Sequence, residues 1–332
     1  MWMSELPAFV PFYLAAVLVL ITNGWLRNLI LLVTPVVAGL HLWFNVDPGL
    51  SIAFPLAHFE LTIYRTDRLS LLFGYLFHIA AFIAVIFALH VRDTTQQVVG
   101  MLYVGSALGA VFAGDLLTLF VFWELLAITS VFFIWARHSN RSLHAGIRYL
   151  LFQITSGMLL LAGTLVIYAQ TNSLAFEHIG LNGLGSWLIF LAFGIKCAFP
   201  LLHNWLTDAY PEATPTGTVF LSAFTTKVAV YALARGFAGT EILVYIGAVM
   251  TCFPIFYAVI ENDLRRVLAY SLINQVGFMV VGVGIVTALA INGAVSHAFN
   301  DVIFKGLLFM TMGAVLHMTG RMNGSDLGGL YK

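Results

Sequence analysis

The chain has 332 residues, of which 61% are hydrophobic and 9% charged, and its formal net charge is zero. A soluble domain carries roughly 25% charged residues, so the composition excludes an ordinary soluble enzyme and indicates a polytopic membrane protein. A net charge of zero argues against a nucleic acid as a partner. The two cysteines, Cys197 and Cys252, lie in apolar runs and indicate no disulfide framework.

Apolar runs along the chain predict eleven spans and therefore an all-α polytopic membrane protein. The predicted spans cover residues 6–22, 26–44, 68–91, 97–113, 115–136, 147–169, 185–206, 216–235, 241–260, 267–288 and 291–318. The longest loop between them is 45–67. Its segment FELTIYR alternates apolar and polar residues, which predicts a short hairpin on the outer surface.

The distribution of lysine and arginine predicts the orientation of the chain. With the N-terminus outside, the inner loops hold Arg27, Arg92, Arg137, Arg141, Arg148, Arg265, Arg266, Arg321 and Lys332. The outer loops then hold only Arg65, Arg68 and Arg235. Because inner loops of membrane proteins carry an excess of basic residues, we predict a multi-pass protein of the cell inner (plasma) membrane with its N-terminus outside.

Two ionisable residues stand out in the first five spans. His78 lies in the middle of span three, where a lone histidine is usually packed and neutral, and it is a weaker candidate for a proton relay. Glu124 lies about ten residues from either end of span five, so it is either protonated or paired with a cation. Two interpretations stay open for Glu124: a structural hydrogen bond from a neutral acid, or a carboxylate tuned by a nearby buried lysine.

A lysine and a proline mark the seventh span, whose sequence at 187–205 is WLIFLAFGIKCAFPLLHNW. A membrane-buried ammonium such as that of Lys196 costs roughly 2.5 to 3.5 kcal/mol on insertion scales. Pro200 has no N–H to donate to the carbonyl of Lys196, so helix seven is predicted to break there. Transporters build ion sites from such broken helices. The alternative is that Lys196 reaches an interface and Pro200 is a packing kink. His203 is a weaker candidate for passing protons between Lys196 and the inner water.

A second buried lysine, Lys227, lies in span eight among hydroxyl-bearing residues. One interpretation is that Lys227 shares a hydrated cavity with Lys196 and takes part in proton transfer, the two ammonium groups repelling each other. The alternative is a cation that serves helix packing and is bound to backbone carbonyls.

Span eleven carries a row of ionisable residues. His297, Asp301 and Lys305 are spaced i, i+4, i+8, so they share one helical face about 12 Å long. A histidine, a carboxylate and an ammonium on one face of a membrane helix are typical of a proton wire. The alternatives are a structural Asp301–Lys305 ion pair and a metal site. No second His or Cys cluster has ligand spacing, so no metal is predicted. His317, at the inner end, is a weaker relay candidate.

The motif inventory points to transfer of protons or cations and to no other chemistry. Nothing in the sequence resembles a phosphate loop, a nucleophile with its base, a haem ligand pair or a dinucleotide fingerprint. We therefore predict no cofactor and no catalytic chemistry in the chain itself.

The segments around these residues resemble the antiporter-like subunit family shared by Mrp-type multisubunit Na⁺/H⁺ antiporters and the membrane arm of respiratory complex I. The matching motifs are LLTLFVFWELLAITSVFFI around Glu124, GIKCAFPLLHNWLTDAYPEATPT around Lys196, TKVAVYALAR around Lys227, AYSLINQVG at 269–277, and HAFNDVIFKGLLFMTMGAVLH around Lys305. The resemblance covers about 68–332. The threonine before Lys227, followed by VAVYAL, is most similar to the D-type branch of the Mrp subunits.

The resemblance implies a fourteen-helix fold with two inverted five-helix repeats, spans four to eight and nine to thirteen, each forming a half-channel. It divides the chain into N-terminal helices with the outer hairpin loop (1–96), a first half-channel (97–236) and an incomplete second repeat (241–332). Family members continue into spans twelve to fourteen, including a broken helix twelve, where this chain stops. We therefore expect a fragment or a C-terminally truncated version of the family fold.

The resemblance also implies roles for the buried residues of the first half-channel. Glu124 pairs with Lys196 as the switch on the input side. Lys196 is the central proton carrier, and Lys227 connects it laterally towards span eleven.

For span eleven, the resemblance implies that His297 and Lys305 belong to a bridge into the second half-channel. The sequence departs from the family at Asp301, where family members usually have a histidine. A carboxylate next to Lys305 is expected to hold that lysine charged and to alter the lateral relay.

The function implied is that of a proton-translocating subunit of a multisubunit monovalent cation (Na⁺ or K⁺)/proton antiporter. One alternative is a proton-pumping membrane subunit of an NADH–quinone oxidoreductase or a related redox complex. The chain itself would be a transporter subunit, or a translocase subunit if it belongs to an NADH–quinone oxidoreductase. A further alternative is a scaffold whose buried charges only hold helices together. The expected partners are the other subunits of such a complex, the lipid bilayer, protons and monovalent cations.

Overall fold

The structure is a computed structural model that describes residues 6–56 and 59–329. Residues 57–58, in the predicted hairpin, lie outside the described residues. So do residues 1–5, which carry the predicted outer N-terminus, and Lys332, one of the cations assigned to the inner side.

The described chain consists of helices and one hairpin. In chain order the elements are α1 (Val10–Ile21), α2 (Gly24–Asn45), β1 (Ser51–Leu56), β2 (Phe59–Arg65), α3 (Arg68–Ala88), α4 (Thr94–Phe112), α5 (Leu116–Trp135), α6 (Asn140–Thr171), α7 (Leu184–Lys196), α8 (Asn204–Ala209), α9 (Pro215–Ala223), α10 (Thr225–Gly236), α11 (Ile242–Ile260), α12 (Leu264–Ile285) and α13 (Ala288–Thr319), followed by a 3₁₀ turn at Gly324–Asp326.

Each predicted span coincides with one helix or with two consecutive short helices, α7 with α8 and α9 with α10. Within the described residues, nine helical segments are long and apolar enough to cross a membrane, with α9 and α10 counted together. The apolar helices α1 and α7 are shorter. The all-α polytopic architecture predicted from composition is confirmed.

Backbone hydrogen bonds between loops show that consecutive spans run in opposite directions. One face of the bundle is joined by Gly114 N to Thr62 O, Ile179 N to Gly236 O, and Gly239 N to Val283 O. The opposite face is joined by Thr214 N to Phe133 O, Leu264 N to Met322 O, and Gly324 N to Asn262 O. The loops before odd-numbered spans thus lie on one face and those after them on the other.

The strands β1 and β2 form a two-stranded antiparallel sheet within the predicted hairpin loop. Its register pairs Phe54 with Leu61 and is shifted by a bulge next to Ile52. β2 buries Leu61 and Tyr64, and its Thr62 carbonyl accepts the N–H of Gly114 at the start of α5. The hairpin therefore closes the ends of α4 and α5 rather than projecting freely.

An aspartate links the hairpin to the rest of this face. Asp67 caps α3 by accepting a hydrogen bond from Ser70 N at 2.8 Å, and its Oδ2 lies 2.6 Å from a guanidinium nitrogen of Arg235. Burial raises the pKa of Asp67, but the Ser70 N–H and the Arg235 charge outweigh burial and hold the pKa below its ordinary value. The start of α3 is thereby tied to the end of α10.

Candidate functional site

The seventh span breaks at the lysine, as predicted from Pro200. α7 ends at Lys196, and α8 begins at Asn204. The intervening segment places two residues other than glycine in the left-handed region, Ala198 at φ +61° and Leu201 at φ +69°. Such conformations cost energy for residues with a Cβ, so the break persists only because its surroundings fix it.

One of those surrounding groups is an indole. The Trp205 Nε1–H donates a hydrogen bond of 2.8 Å to the carbonyl of Ile195, which also accepts the N–H of Ala198 at 3.1 Å. A side chain from beyond the break thus donates to a carbonyl in the last turn of α7. The interrupted helix no longer supplies the backbone N–H that would normally bond this carbonyl.

Lys196 is completely buried at the end of α7. Its Nζ donates a hydrogen bond of 2.6 Å to the backbone carbonyl of Trp123 on α5 and lies 4.6 Å from the centroid of the Trp123 indole ring. A carbonyl and an aromatic face both stabilise an ammonium without neutralising it. Among the described residues, no carboxylate oxygen lies within 4.0 Å of this Nζ.

Glu124 follows Trp123 on α5 and is the carboxylate that interacts electrostatically with Lys196. Its Oε1 is buried and accepts no hydrogen bond from the described residues. The carboxylate fits against α6 at Gly157, where a Cβ would overlap it. The pairing that the resemblance implied is therefore present as proximity within the bundle and not as a direct ion pair.

The eighth span is also broken, which the sequence did not reveal. Phe224, at φ −111° and ψ −60°, interrupts the helix between α9 and α10. The Tyr103 hydroxyl on α4 accepts the N–H of Thr225 at 3.2 Å and lies 2.5 Å from the Thr225 hydroxyl. The Ser222 carbonyl accepts a hydrogen bond of 3.0 Å from Lys227 Nζ. A helix kinks where side chains insert into its hydrogen-bond ladder, and here Tyr103 and Lys227 do so.

Lys227 and Asp301 form an ion pair inside the bundle. Nζ of Lys227 on α10 lies 2.6 Å from Oδ2 of Asp301 on α13, and both side chains are 0% exposed. The Asp301–Lys305 ion pair considered from the spacing is wrong, because Asp301 pairs across the helices with Lys227. Lys305 instead donates a hydrogen bond to the Ser271 hydroxyl on α12. Asp301 and Lys305 still interact electrostatically.

His297 lies near this pair on the same face of α13. Its charge interactions are with Asp301, Lys227 and Lys305, and its Nε2 is buried without a hydrogen-bond partner among the described residues. The structure thus brings four of the predicted proton-transfer residues, from α10 and α13, into one cluster.

Two of the three weaker candidates lie near helix breaks or helix ends. His203 is in the segment between α7 and α8, and its ring centroid is 4.8 Å from that of Phe253 on α11. His317 is exposed near the end of α13, 5.6 Å from the ring of His90. Across residues 6–56 and 59–329, no group of three or more His, Cys, Asp or Glu residues is placed to hold a metal ion.

The third weaker candidate, His78, lies apart from the lysines. Its Nδ1 is 2.7 Å from the carbonyl of Gly74 in its own helix, and its ring centroid is 5.4 Å from that of Phe12 on α1. The side chain also lies beside Gly39 of α2, where an added Cβ would come within 3.2 Å of the His78 Cβ. His78 therefore faces α1 and α2, and the structure does not bring it into the cluster.

Sequence reasoning missed a group of buried hydroxyls around the second break. Besides Tyr103, the group contains Tyr149, whose hydroxyl lies 2.7 Å from that of Ser130, and Tyr210; both tyrosines also interact with the Thr225 hydroxyl. A tyrosine inside an apolar run is hard to distinguish, in sequence, from the hydrophobic face around it. The signal that reveals these residues is the repetition of hydroxyl-bearing side chains in the middle of spans, since buried hydroxyls require partners.

Arg265 is a further buried charge, whose place in the sequence indicated only an inner loop. The residue is 2% exposed, and its guanidinium donates to the carbonyls of Pro211 at 2.8 Å and Ala213 at 2.9 Å, and to the hydroxyl of Thr218. One side chain at the start of α12 thus holds the loop that joins α8 to α9.

Known proteins resemble this chain in sequence. The family described as NADH:quinone oxidoreductase/Mrp antiporter, TM, matches residues 113–332. The D-type Na⁺/H⁺ antiporter subunit of Alkalihalophilus pseudofirmus is 31% identical over 244 residues, which is 68% of this chain and 49% of that protein. The corresponding Na⁺/H⁺ antiporter subunit of Bacillus subtilis is 28% identical over 243 residues, with the same coverage. The chain thus spans about half the length of the curated relatives it matches.

Solved structures share the fold. The Mrp complex from a Dietzia species matches with a TM-score of 0.86 and 22% identity, covering 100% of this chain and 68% of that chain. An archaeal membrane-bound sulfane sulfur reductase matches with a TM-score of 0.87 and 25% identity, covering 98% and 59%. Since the family match covers well over half of the sequence, the chain belongs to the NADH:quinone oxidoreductase/Mrp antiporter transmembrane family.

Proposed function

We propose that this chain is the proton-translocating membrane subunit of a multisubunit monovalent cation/proton antiporter. The observation that carries the proposal is that each of two broken spans has a completely buried lysine at its break, Lys196 at the end of α7 and Lys227 at the start of α10. Broken helices with charged groups at the middle of the membrane are how transporters form sites for protons and cations.

The proposed proton path runs from Glu124 through Lys196 and Lys227 to the cluster on α13. Lys196 serves as the carrier, because a carbonyl and an indole hold its ammonium while no carboxylate of residues 6–56 and 59–329 pairs with it directly. Glu124, whose Oε1 is without a hydrogen-bond partner among the described residues, is free to accept or deliver a proton next to that carrier. The buried hydroxyls of Tyr103 and Thr225 supply polar contacts at the break ahead of Lys227.

On the α13 side, Lys227 is followed by Asp301, His297 and Lys305. We propose that these residues pass the proton laterally, with the chain divided into N-terminal helices (1–96), a first half-channel (97–236) and part of a second repeat (241–332). The basic residues of the predicted inner loops support an orientation with the N-terminus outside in the plasma membrane. The names of the relatives support assembly with further antiporter subunits.

A second candidate function is that of a proton-pumping subunit in a redox complex. The likeness to a respiratory sulfane sulfur reductase, at 25% identity over 98% of this chain, favours it. The same buried residues would move protons in both cases, and only the source of energy would differ.

The deciding experiment measures cation-dependent proton flux in inverted vesicles from an antiporter-deficient host that expresses the complete set of subunits. Wild type is compared with Lys196→Ala and with Cys252→Ala, an exposed residue on the outside of α11, at matched expression. We expect Na⁺ or K⁺ to collapse the pH gradient in wild type and in Cys252→Ala but not in Lys196→Ala.

Two results would contradict this proposal in different ways. If neither wild type nor the two variants show proton flux on addition of Na⁺ or K⁺, the antiporter assignment fails and the redox-driven alternative takes its place. If Lys196→Ala responds as wild type does, the transport function stands and Lys196 is not its carrier.

A further inference from the structure

A polar cavity opens at the end of the bundle where the predicted inner loops meet. Its volume is about 410 Å³, and it lies between the first turns of α6, the segment from α8 towards α9, and the start of α12. The ionisable residues that line it are Arg141, His144, Arg148, Asp208, Glu212 and Arg266. The cavity therefore has three guanidinium groups against two carboxylates, and it is large enough to hold a ligand.

One of these guanidinium groups has no acidic partner. The other charged groups of the cavity take part in ion pairs, which are Arg137–Glu212 at 3.2 Å, Arg148–Asp208 at 3.5 Å and Arg266–Glu261 at 3.5 Å. Arg141, in contrast, is exposed and has neither a hydrogen bond nor an ion pair within residues 6–56 and 59–329. The cavity thus presents one uncompensated positive charge, which favours a ligand with a negative charge.

The length of α6 places the cavity at the level of lipid headgroups. α6 has 32 residues and is therefore about 48 Å long, whereas the hydrocarbon core of a bilayer is about 30 Å thick. The charged residues of the cavity lie in the first turns of α6, and the sequence that follows Arg148 is mainly apolar. α6 thus enters the hydrocarbon near Arg148, and Arg141 and His144 lie outside it.

An apolar row on the outside of α6 continues from the cavity into the hydrocarbon. Ile147, Leu151, Ile154 and Met158 are spaced i, i+4, i+7, i+11, so they share one helical face, and they are 36–66% exposed. Arg148 lies on the same face, three residues before Leu151. From Arg148 to Met158 the axial distance is ~15 Å, close to half the thickness of the hydrocarbon core. The row therefore matches the depth of an acyl chain in a single leaflet.

We propose that the cavity binds the phosphate of an anionic phospholipid whose acyl chain lies along this row of α6. Arg141 supplies the uncompensated charge, and its planar guanidinium can donate two parallel hydrogen bonds to phosphate oxygens. Basic pockets between transmembrane helices bind acidic headgroups on the cytoplasmic side. A zwitterionic lipid brings an ammonium with its phosphate and leaves the net charge of the cavity unchanged, and a free phosphate makes no use of the apolar row.

This inference goes beyond the proposed transport function and does not depend on it. Both the antiporter and the redox-driven alternative are embedded in the same kind of bilayer, and the lipid site uses none of the buried lysines. With the orientation proposed above, the lipid belongs to the inner leaflet.

The test measures how phosphatidylglycerol raises the Tm of the purified complex in a neutral detergent, since a ligand that binds the folded protein stabilises it. Arg141→Gln should raise the half-saturating concentration of this lipid about fivefold, the factor that corresponds to ~1 kcal/mol for one basic residue near the membrane surface. Without added lipid the variant should unfold at the same Tm as wild type, because Arg141 has no bond to the described chain to lose.

Arg92→Gln is the matched control. Arg92 is exposed in the loop between α3 and α4, at the same end of the bundle, and does not line the cavity. Like Arg141, it has no hydrogen bond or ion pair in the described part of the chain. Its half-saturating concentration should equal that of wild type. An equal increase in both variants would mean that the lipid responds to the charge of the whole face, which would overturn the site.

Two further ligands separate the anionic lipid from its parts. Phosphatidylethanolamine has the same phosphate and acyl chains but carries an ammonium, and inorganic phosphate has no acyl chain. We expect both to stabilise wild type less than phosphatidylglycerol does. Either of two results contradicts the proposal: an equal response to phosphatidylethanolamine, which would remove the preference for an anionic lipid, or an equal response to inorganic phosphate that Arg141→Gln abolishes, which would make the cavity a site for free phosphate.

Discussion

The two broken spans hold their lysines in opposite ways. At the α7–α8 break, the Lys196 ammonium lies between a carbonyl and an indole, and Glu124 acts on it without direct contact. At the α9–α10 break, the Lys227 ammonium touches the carboxylate of Asp301 at 2.6 Å. Among the described residues, the first lysine has no carboxylate in ion-pair contact, whereas the second has one. A break therefore frees backbone oxygens, but the surrounding helices decide whether its cation is paired.

The largest effect should come from breaking the compensated pair. In cation-free buffer, Asp301→Asn leaves the Lys227 ammonium buried and unpaired, so the folded state should lose about 3 to 5 kcal/mol of stability. Lys227→Met/Asp301→Asn removes both charges and should recover most of that loss. The Tm of the purified complex in detergent is the measurement. Losses that simply add in the double variant would show that the two side chains do not depend on each other.

The next effect compares the groups that hold the two breaks open. Tyr103→Phe leaves the N–H of Thr225 without its acceptor, at a cost of about 1 to 3 kcal/mol in the free energy of unfolding. Trp205→Phe should cost more, because it leaves a cavity in place of an indole that is 1% exposed, although the carbonyl of Ile195 still accepts the N–H of Ala198. Thermal unfolding of both variants checks the order. A larger loss for Tyr103→Phe would reverse it.

A third change acts on Lys196 through Glu124, the carboxylate that influences it without direct contact. Gly157→Ala places a methyl group where the Glu124 carboxylate now lies, so the carboxylate must move relative to Lys196. We expect proton flux to fall about tenfold, equivalent to ~1.4 kcal/mol in the barrier, while the complex still assembles. Gly293→Ala on α13 is the control, since nothing lies within 4 Å of its added Cβ. Unchanged proton flux in Gly157→Ala would show that proton transfer does not depend on the position of the Glu124 carboxylate.

The smallest effect concerns the ion pair outside the spans. Asp67→Asn keeps a capping side chain on α3 but removes the charge that faces Arg235, a loss of less than about 1 kcal/mol for a partly exposed pair. Because the folded protein holds the pKa of Asp67 below its ordinary value, the contribution is present at neutral pH and disappears as the pH falls below about 4. The Tm difference between wild type and Asp67→Asn should shrink over that range and should not grow.

Of the two helix breaks, one could be predicted from the sequence and the other could not. The break at Lys196 follows from covalent structure, because Pro200 has no N–H to donate to the carbonyl of Lys196. The break at Phe224 has no proline or glycine of its own and arises where Tyr103, distant in sequence, bonds Thr225. Local sequence cannot reveal a helix interruption that a neighbouring helix produces.

The ion-pair partner of Asp301 could not be predicted from the sequence for a related reason. Spacing of i, i+4 places Asp301 and Lys305 on one face of α13, which favours a local ion pair. The packing of α10 against α13 brings Lys227 closer than Lys305, and Ser271 on α12 takes the hydrogen bond of Lys305 instead. The apolar helices, in contrast, follow from length and apolarity alone, so their positions were predictable without knowledge of packing.

The buried guanidinium of Arg265 has a mechanical consequence. It fastens the loop between α8 and α9 to the start of α12, so these two half-helices and their loop form one anchored block. The ends of that block are the two breaks, after Lys196 and ahead of Lys227. A tilt of the block about the Arg265 anchor would therefore change the geometry of both breaks at the same time.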